Sequence, residues 1–150
     1  MKKIIFLLLG SFVLFACNQS ANKTESDDHA SHEHAVADTQ LTLNNGAKWN
    51  ADSITSHNVV NLKTIADNFR IKPFPSATEY QLLSNDLNSG VNKLIQDCKM
   101  SGPDHDALHK WLEPVLKESN QLKTITDTDA ARTTFKSLDE RIDAYPNYFE

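Results

Sequence analysis

The feature that most constrains the fold of this chain is an apolar repeat with a spacing of three and four residues. It is clearest between residues 80 and 98, where the repeating positions are Tyr80, Leu83, Leu87, Val91, Leu94 and Cys98. This spacing brings side chains onto one face of an α-helix. The segment therefore predicts an amphipathic helix that buries one face, with Cys98 on that face.

Three further segments have the same period. The first starts at a possible cap, Asp52 or Ser53, and carries His57 at the edge of its apolar stripe. The third starts near Pro103 or Asp104. The fourth runs from about 127 to 145. The predicted inward positions are Ile54, Leu62, Ile65 and Phe69 in the first, Leu108, Leu112, Val115 and Leu122 in the third, and Ala131, Phe135, Leu138, Ile142 and Tyr145 in the fourth.

Prolines and turn residues separate these segments. Pro73 and Pro75 break the chain after the first helix, and Pro103 suits the first turn of the third. Pro114 is expected to kink or split the third helix, and Pro146 to end the fourth. The chain has only four glycines and no long strand-type alternation. Residues 41–150 therefore predict an all-α, antiparallel up-down-up-down four-helix bundle, preceded at 41–46 by a short extended piece and a turn.

The N-terminus has the pattern of a targeting segment. Lys2 and Lys3 precede an apolar run that ends in Leu14-Phe15-Ala16-Cys17. This pattern resembles the bacterial lipoprotein signal and its lipobox. The resemblance implies a signal peptide at 1–16, acyl chains such as palmitate on Cys17, and anchoring of the protein to a membrane of the bacterial cell envelope. An ordinary secretory signal with a chance cysteine is the alternative.

Residues 17–40 are polar and almost free of large apolar side chains. Such a segment buries too little surface to offset its conformational entropy, so it predicts a disordered tether. It contains DDHASHEH, in which His29, His32 and His34 lie among acidic residues. This run is either a solvated linker or a weak metal-collecting tract.

Charge and cysteine content exclude some functions. Loss of Lys2 and Lys3 with the leader changes the formal net charge from −5 to −7. A nucleic acid is then an unfavourable partner, because its phosphates repel an acidic protein. With Cys17 acylated, Cys98 has no internal partner, so no disulfide framework is expected.

The bundle topology suggests a metal site. The start of the first helix, the end of the second, the start of the third and the end of the fourth share one pole, which brings soft and borderline ligands together. His105 and His109 are spaced i and i+4 and so share a helix face. Thiolate and thioether favour Cu(I), whereas thiolate and imidazole also suit Zn(II). The predicted ligands are Cys98, His105 and His109, with Met100 and His57 as optional extra ligands.

The residues close to this site have two further readings. Asp104 and Asp106 could orient the imidazoles. The stretch His105–His109 also resembles the zincin HExxH pattern, but Asp106 replaces its glutamate with a shorter side chain and no third-ligand motif follows. We therefore expect no enzyme. The main alternative is that each candidate ligand is structural and that the bundle is a non-catalytic protein-interaction module.

The chain as a whole is similar to the small helical lipoproteins of Bacteroidetes-type cell envelopes. The similarity lies in the LFAC leader, the polar tether, the LNNGAKW stretch and the C-x-M…H-x-x-x-H-x-W-L stretch. It implies an envelope location rather than an activity, and leaves the membrane and leaflet open. The expected function is an envelope lipoprotein that binds Cu(I) or Zn(II) for metal handling or tolerance.

Overall fold

The structure, a computed structural model, describes residues 40–150 and contains four helices in this part of the chain. These are α1 (Ser53–Arg70), α2 (Ala77–Asp97), α3 (Gly102–Leu122) and α4 (Thr128–Tyr148). They form an antiparallel up-down-up-down bundle in which α1 and α3 occupy opposite corners. The predicted fold class is confirmed. The leader, Cys17 and the tether residues His29, His32 and His34 lie outside the described residues.

Side-chain caps fix where three of the four helices begin. Asp52 accepts a hydrogen bond from the Thr55 N–H at 2.6 Å, so Asp52 rather than Ser53 caps α1. At the start of α2, Ser76 and Glu79 form a reciprocal capping box. Asp127 caps α4. These caps satisfy N–H groups that have no partner within their own helix.

The core consists of the apolar stripes of the four helices. Every inward position predicted on α2, α3 and α4 within the helix bounds is buried. On α1 the prediction for Ile54 was wrong, since 43% of its surface is exposed and the neighbouring Thr55 is buried instead. The inward stripe of α1 includes small and polar side chains, which a count of large apolar residues does not detect. Cys98 is the C-cap of α2 and is half-buried.

The two helix-interior prolines do not end their helices. Pro114 lies inside α3, which runs unbroken to Leu122. Pro146 was expected to end α4, but α4 continues to Tyr148. A proline removes only one backbone hydrogen bond, and tertiary contacts of the last turn offset that loss. The Phe149 N–H bonds to the Tyr145 carbonyl at 3.1 Å.

An N-terminal arm, residues 40–52, closes one end of the bundle. It turns at Asn45 and Gly46, which have φ angles of 51° and 91°, and two hydrogen bonds between Asn44 and Ala47 complete the turn. The Trp49 N–H then bonds to the Tyr148 carbonyl at 2.8 Å, and the Trp49 carbonyl accepts from the Glu150 N–H at 3.0 Å. The arm therefore joins the end of α4.

The remaining seam, between α1 and α4, is closed by charged side chains. Arg70 bonds to both carboxylate oxygens of Asp139 at 2.7 and 2.6 Å and also pairs with Asp143 at 2.9 Å. Lys63 bonds to Asp143 as well.

None of the four described helices is both long and apolar enough to span a membrane.

Candidate metal centre

The near pole is the end of the bundle where α1 starts, α2 ends, α3 starts and α4 ends. Hydrogen bonds between elements fasten it. The Asp52 carboxylate that caps α1 also accepts from the Lys99 N–H at 2.9 Å, and Asp104 accepts from the Asn50 N–H at 3.1 Å. The Asn58 amide donates to Asp97 at 3.0 Å. The pole is therefore a fixed frame for the residues it carries.

The structure brings His105 and His109 together on α3. Their ring centroids are 4.6 Å apart, and the ring planes are inclined by 55°. His105 is half-buried and His109 is exposed. Zn–N bonds are about 2.0–2.1 Å long, so two rings at this separation can ligate one ion from the same helix face.

The other predicted ligands are not shown to join this pair. Cys98 and Met100 are half-buried and pack against the edge of the core, and His57 is exposed on α1. Within residues 40–150, no group of three or more His, Cys, Asp and Glu side chains is placed to hold a metal ion. The structure thus brings His105 and His109 together, and the metal-ligand roles of all five residues stay predictions.

The neighbouring carboxylates act on the site through charge. In the described part of the chain no hydrogen bond joins Asp104 or Asp106 to an imidazole, and Asp104 holds the N-terminal arm instead. The positive end of the α3 dipole opposes a bound cation, and Asp104 in the first turn offsets it. Burial raises the pKa of Asp52, but hydrogen bonds from Thr55 and Lys99 outweigh it and lower that pKa. The pole therefore keeps negative charge at neutral pH.

A groove between α3 and α4 was not predicted from the sequence. Its volume is about 710 Å³, and its lining residues include Lys110, Trp111, Pro114, Lys117, Arg141 and Tyr148. Beneath it, one oxygen of Glu118 accepts from Ser137 and Arg141, while the other is buried without a hydrogen-bond partner. The sequence feature that could have indicated this groove is Pro114. A proline has no N–H, so it cannot donate a hydrogen bond to the carbonyl four residues earlier in the helix.

An exposed apolar tip between α1 and α2 was also missed. We call residues 71–75 the tip; it lies at the pole opposite the metal candidates. Phe74 is 96% exposed and Ile71 is 81% exposed. Phe74 has a φ of 50°, a strained conformation for a bulky side chain, and lies between Pro73 and Pro75. The sequence feature that could have indicated the tip is an aromatic residue between two prolines. This residue lies outside the apolar repeat of either helix, so neither helix buries it.

Comparisons of the chain with protein families, with curated proteins and with solved structures find no match. The functional argument therefore rests on the sequence motifs and on the arrangement of the described side chains.

Proposed function

We propose that this chain is a membrane-anchored lipoprotein of the cell envelope whose helical domain binds a borderline metal ion, Zn(II) first, in metal handling. The observation that supports the proposal is the His105–His109 pair, with ring centroids 4.6 Å apart at a pole fastened by carboxylates. The anchoring part rests on the LFAC motif and Cys17.

The preference for Zn(II) follows from the donor atoms that lie together. Imidazole nitrogens suit Zn(II), Cu(II) and Ni(II), whereas the case for Cu(I) depends on sulfur ligands. Cys98 and Met100 belong to the same pole but not to the observed pair. Cu(I) is therefore the second choice, and it requires Cys98 to reach the pair.

The binding test uses the full chain with Cys17→Ala, which removes the acylation site and keeps every other candidate ligand. Zn(II) at a hundredfold excess over its Kd should stabilise the fold by about 2.7 kcal/mol, raising Tm. His109→Ala should remove most of that shift and His57→Ala should not, while circular dichroism stays helical for both. A parent chain whose Tm responds to neither Zn(II) nor Cu(I) would contradict metal binding.

The anchoring test compares cell fractions. The parent chain should sediment with membranes, and Cys17→Ala should move it to the soluble fraction, because the acyl chains provide the anchor. Equal membrane association of the two proteins would overturn the lipoprotein proposal.

A second candidate function, a protein-interaction module, is favoured by the tip. Phe74 and Ile71 expose large apolar side chains at the pole remote from the N-terminal arm. The flanking prolines restrict the loop, so a partner pocket that receives the Phe74 ring would lose little conformational entropy in ordering it. A strained backbone at an exposed aromatic residue is typical of a functional contact rather than of a packing need.

Phe74→Gly separates this function from folding. Glycine adopts a φ of 50° without strain, so the variant should be at least as stable as the parent. A photo-crosslinking side chain at position 74 should give one discrete adduct in intact cells, and the same group at exposed Leu82 on α2 should not. Indistinguishable crosslinks at the two positions would contradict a docking role for the tip.

A further inference from the structure

We propose that the groove between α3 and α4 binds a small organic monocarboxylate that carries an apolar body. One end of the groove holds the carboxylate, and the floor covers the apolar part. This inference goes beyond the proposed metal function and uses none of the candidate metal ligands.

The groove has the size and the floor of a small-molecule site. Its volume of about 710 Å³ lies within the range of roughly 300–1,000 Å³ that is common for ligand pockets. Trp111, Pro114 and Ala144 line it between the two helices. Leu41 and Tyr148 line it at the end that the N-terminal arm closes. A ligand with an apolar body would remove this surface from water, which is favourable.

The Arg141 side chain marks the other end of the groove. The Arg141 carbonyl accepts a hydrogen bond from the Trp111 indole N–H at 2.9 Å, and the Arg141 Nε donates to Glu118 at 3.0 Å. Trp111 and Glu118 lie on the same helix, and their separation in sequence corresponds to about 10 Å along its axis. The Arg141 side chain therefore runs along α3, and its guanidinium lies beside the turn that carries Lys117 and Glu118.

Hydrogen-bond donors at this end remain available to a ligand. Within the described part of the chain, the Arg141 Nη atoms make no hydrogen bond, and neither Lys110 nor Lys117 forms an ion pair. Ser137 donates to Glu118 at 2.9 Å and so holds the carboxylate that orients the guanidinium. A guanidinium presents N–H groups in a fork that matches the two oxygens of a carboxylate. Arg141 and Lys117, which both line the groove, can therefore bind a carboxylate head group.

Two glutamates of the lining limit the charge of the ligand. Glu113 and Glu140 are exposed, and Glu140 lies 3.9 Å from Lys136. They would repel a ligand with several negative charges, and the formal net charge of −5 acts in the same direction. The lining therefore favours a single carboxylate over a polyanion such as a phosphate ester.

The test measures ligand binding to the full chain with Cys17→Ala by isothermal titration calorimetry. Decanoate is the probe, decyltrimethylammonium has the same alkyl chain with the opposite charge, and acetate has the carboxylate without the apolar body. Each is used below its micelle concentration. Decanoate should bind as a single molecule per chain and at least about tenfold more tightly than either control, because it alone uses both parts of the groove.

Two variants locate the carboxylate. Lys117→Gln should weaken decanoate binding by about tenfold, since a hydrogen bond to a charged group contributes on that order. Lys123→Gln is the matched control, because Lys123 is also exposed but caps the end of α3 outside the groove. Both variants change an exposed side chain, so their circular dichroism should match that of the parent. Decanoate should also shift the NMR signal of the Trp111 indole N–H, whereas acetate should not.

Three outcomes would overturn the inference. They are no binding of decanoate, binding of decyltrimethylammonium as tight as that of decanoate, and equal decanoate affinity of Lys117→Gln and the parent. The second outcome would make the groove a merely apolar surface, and the third would place the head group elsewhere. Each of the three leaves the proposed metal function standing, because no candidate metal ligand lines the groove.

Discussion

At the scale of single residues, Gly90 shows how closely α1 and α2 approach. A Cβ at this position would lie 2.6 Å from the Leu62 Cδ2 atom and 3.6 Å from the Ile65 Cδ1 atom. Alanine is the better helix former by about 0.5–1 kcal/mol, but overpacking typically costs about 1–3 kcal/mol. Leu62 is fully buried, so its side chain cannot move without displacing its neighbours. The steric cost should exceed the gain in helix propensity.

We therefore expect Gly90→Ala to lower the free energy of unfolding by about 1 kcal/mol in urea denaturation. Asn92→Ala is the matched control, because Asn92 is exposed on the same helix and the change brings only a gain in propensity. If Gly90→Ala proved more stable than the parent, the contact between α1 and α2 would be looser than described.

At the scale of elements, the α1–α4 seam depends on charge. Arg70 makes a bidentate pair with Asp139, whose side chain is only 15% exposed, and also contacts Asp67 and Asp143. The hydrogen bond to Asp139 is the main cause of the raised pKa of Arg70, so the guanidinium stays charged. Removing the Arg70 side chain would leave Asp139 without its cation, and would leave Lys63 as the remaining cation beside Asp67 and Asp143.

Arg70→Ala should destabilise the bundle by about 1 kcal/mol, a value reduced for the partial exposure of the pairs. Arg70→Lys should recover part of the loss, since lysine keeps the charge but not the bidentate geometry. Raising the salt concentration should shrink the difference between parent and Arg70→Ala in thermal melts. A salt-independent difference would indicate that Arg70 acts through the packing of its alkyl chain.

At the scale of the whole molecule, titratable groups limit the pH range of the fold. Hydrogen bonds from Lys93 and Asn58 lower the pKa of Asp97, and the hydrogen bond from Lys63 lowers that of Asp143. The folded state then binds fewer protons than the unfolded state at low pH. The stability that these carboxylates contribute is complete above the pKa of an aspartate in the unfolded chain, about 4. It is lost as the pH falls below that value and through the lower pKa values of the folded state.

The alkaline limit involves Tyr145, whose pKa is raised by burial, with a smaller opposing contribution from the Ser56 contact. The folded state favours the neutral form of Tyr145, which contributes to stability below about pH 10, the ordinary pKa of tyrosine. This contribution is lost as the pH rises above that value and through the higher pKa of the folded state. Thermal melts should give a plateau of Tm between these limits. Tyr145→Phe should flatten the alkaline side alone, and Asp143→Asn should reduce the acid slope. A Tm constant down to pH 2.5 would show that the carboxylate pairs contribute nothing.

The sequence by itself determined the fold class and most of the core. The three- and four-residue repeat, as in Leu83 and Leu87, depends only on helix geometry, which is local. The cap at Asp52 or Ser53 and the turn at Asn45 and Gly46 were equally local predictions, because each uses the side chain or the φ freedom of a single residue; the structure chose Asp52. The i, i+4 spacing also predicted that His105 and His109 would meet.

Only the tertiary structure decided what depends on contacts between helices. It placed Ile54 at the surface, because the face of α1 that is buried is set by the neighbouring helices and not by the largest side chains. It carried α4 past Pro146, because contacts of the last turn with Trp49 offset one lost hydrogen bond. It also assembled two of the five expected ligands and left Cys98 at the edge of the core. Sharing a pole brings residues to the same end of a bundle, but coordination needs atoms a few ångströms apart, and side-chain packing sets those distances.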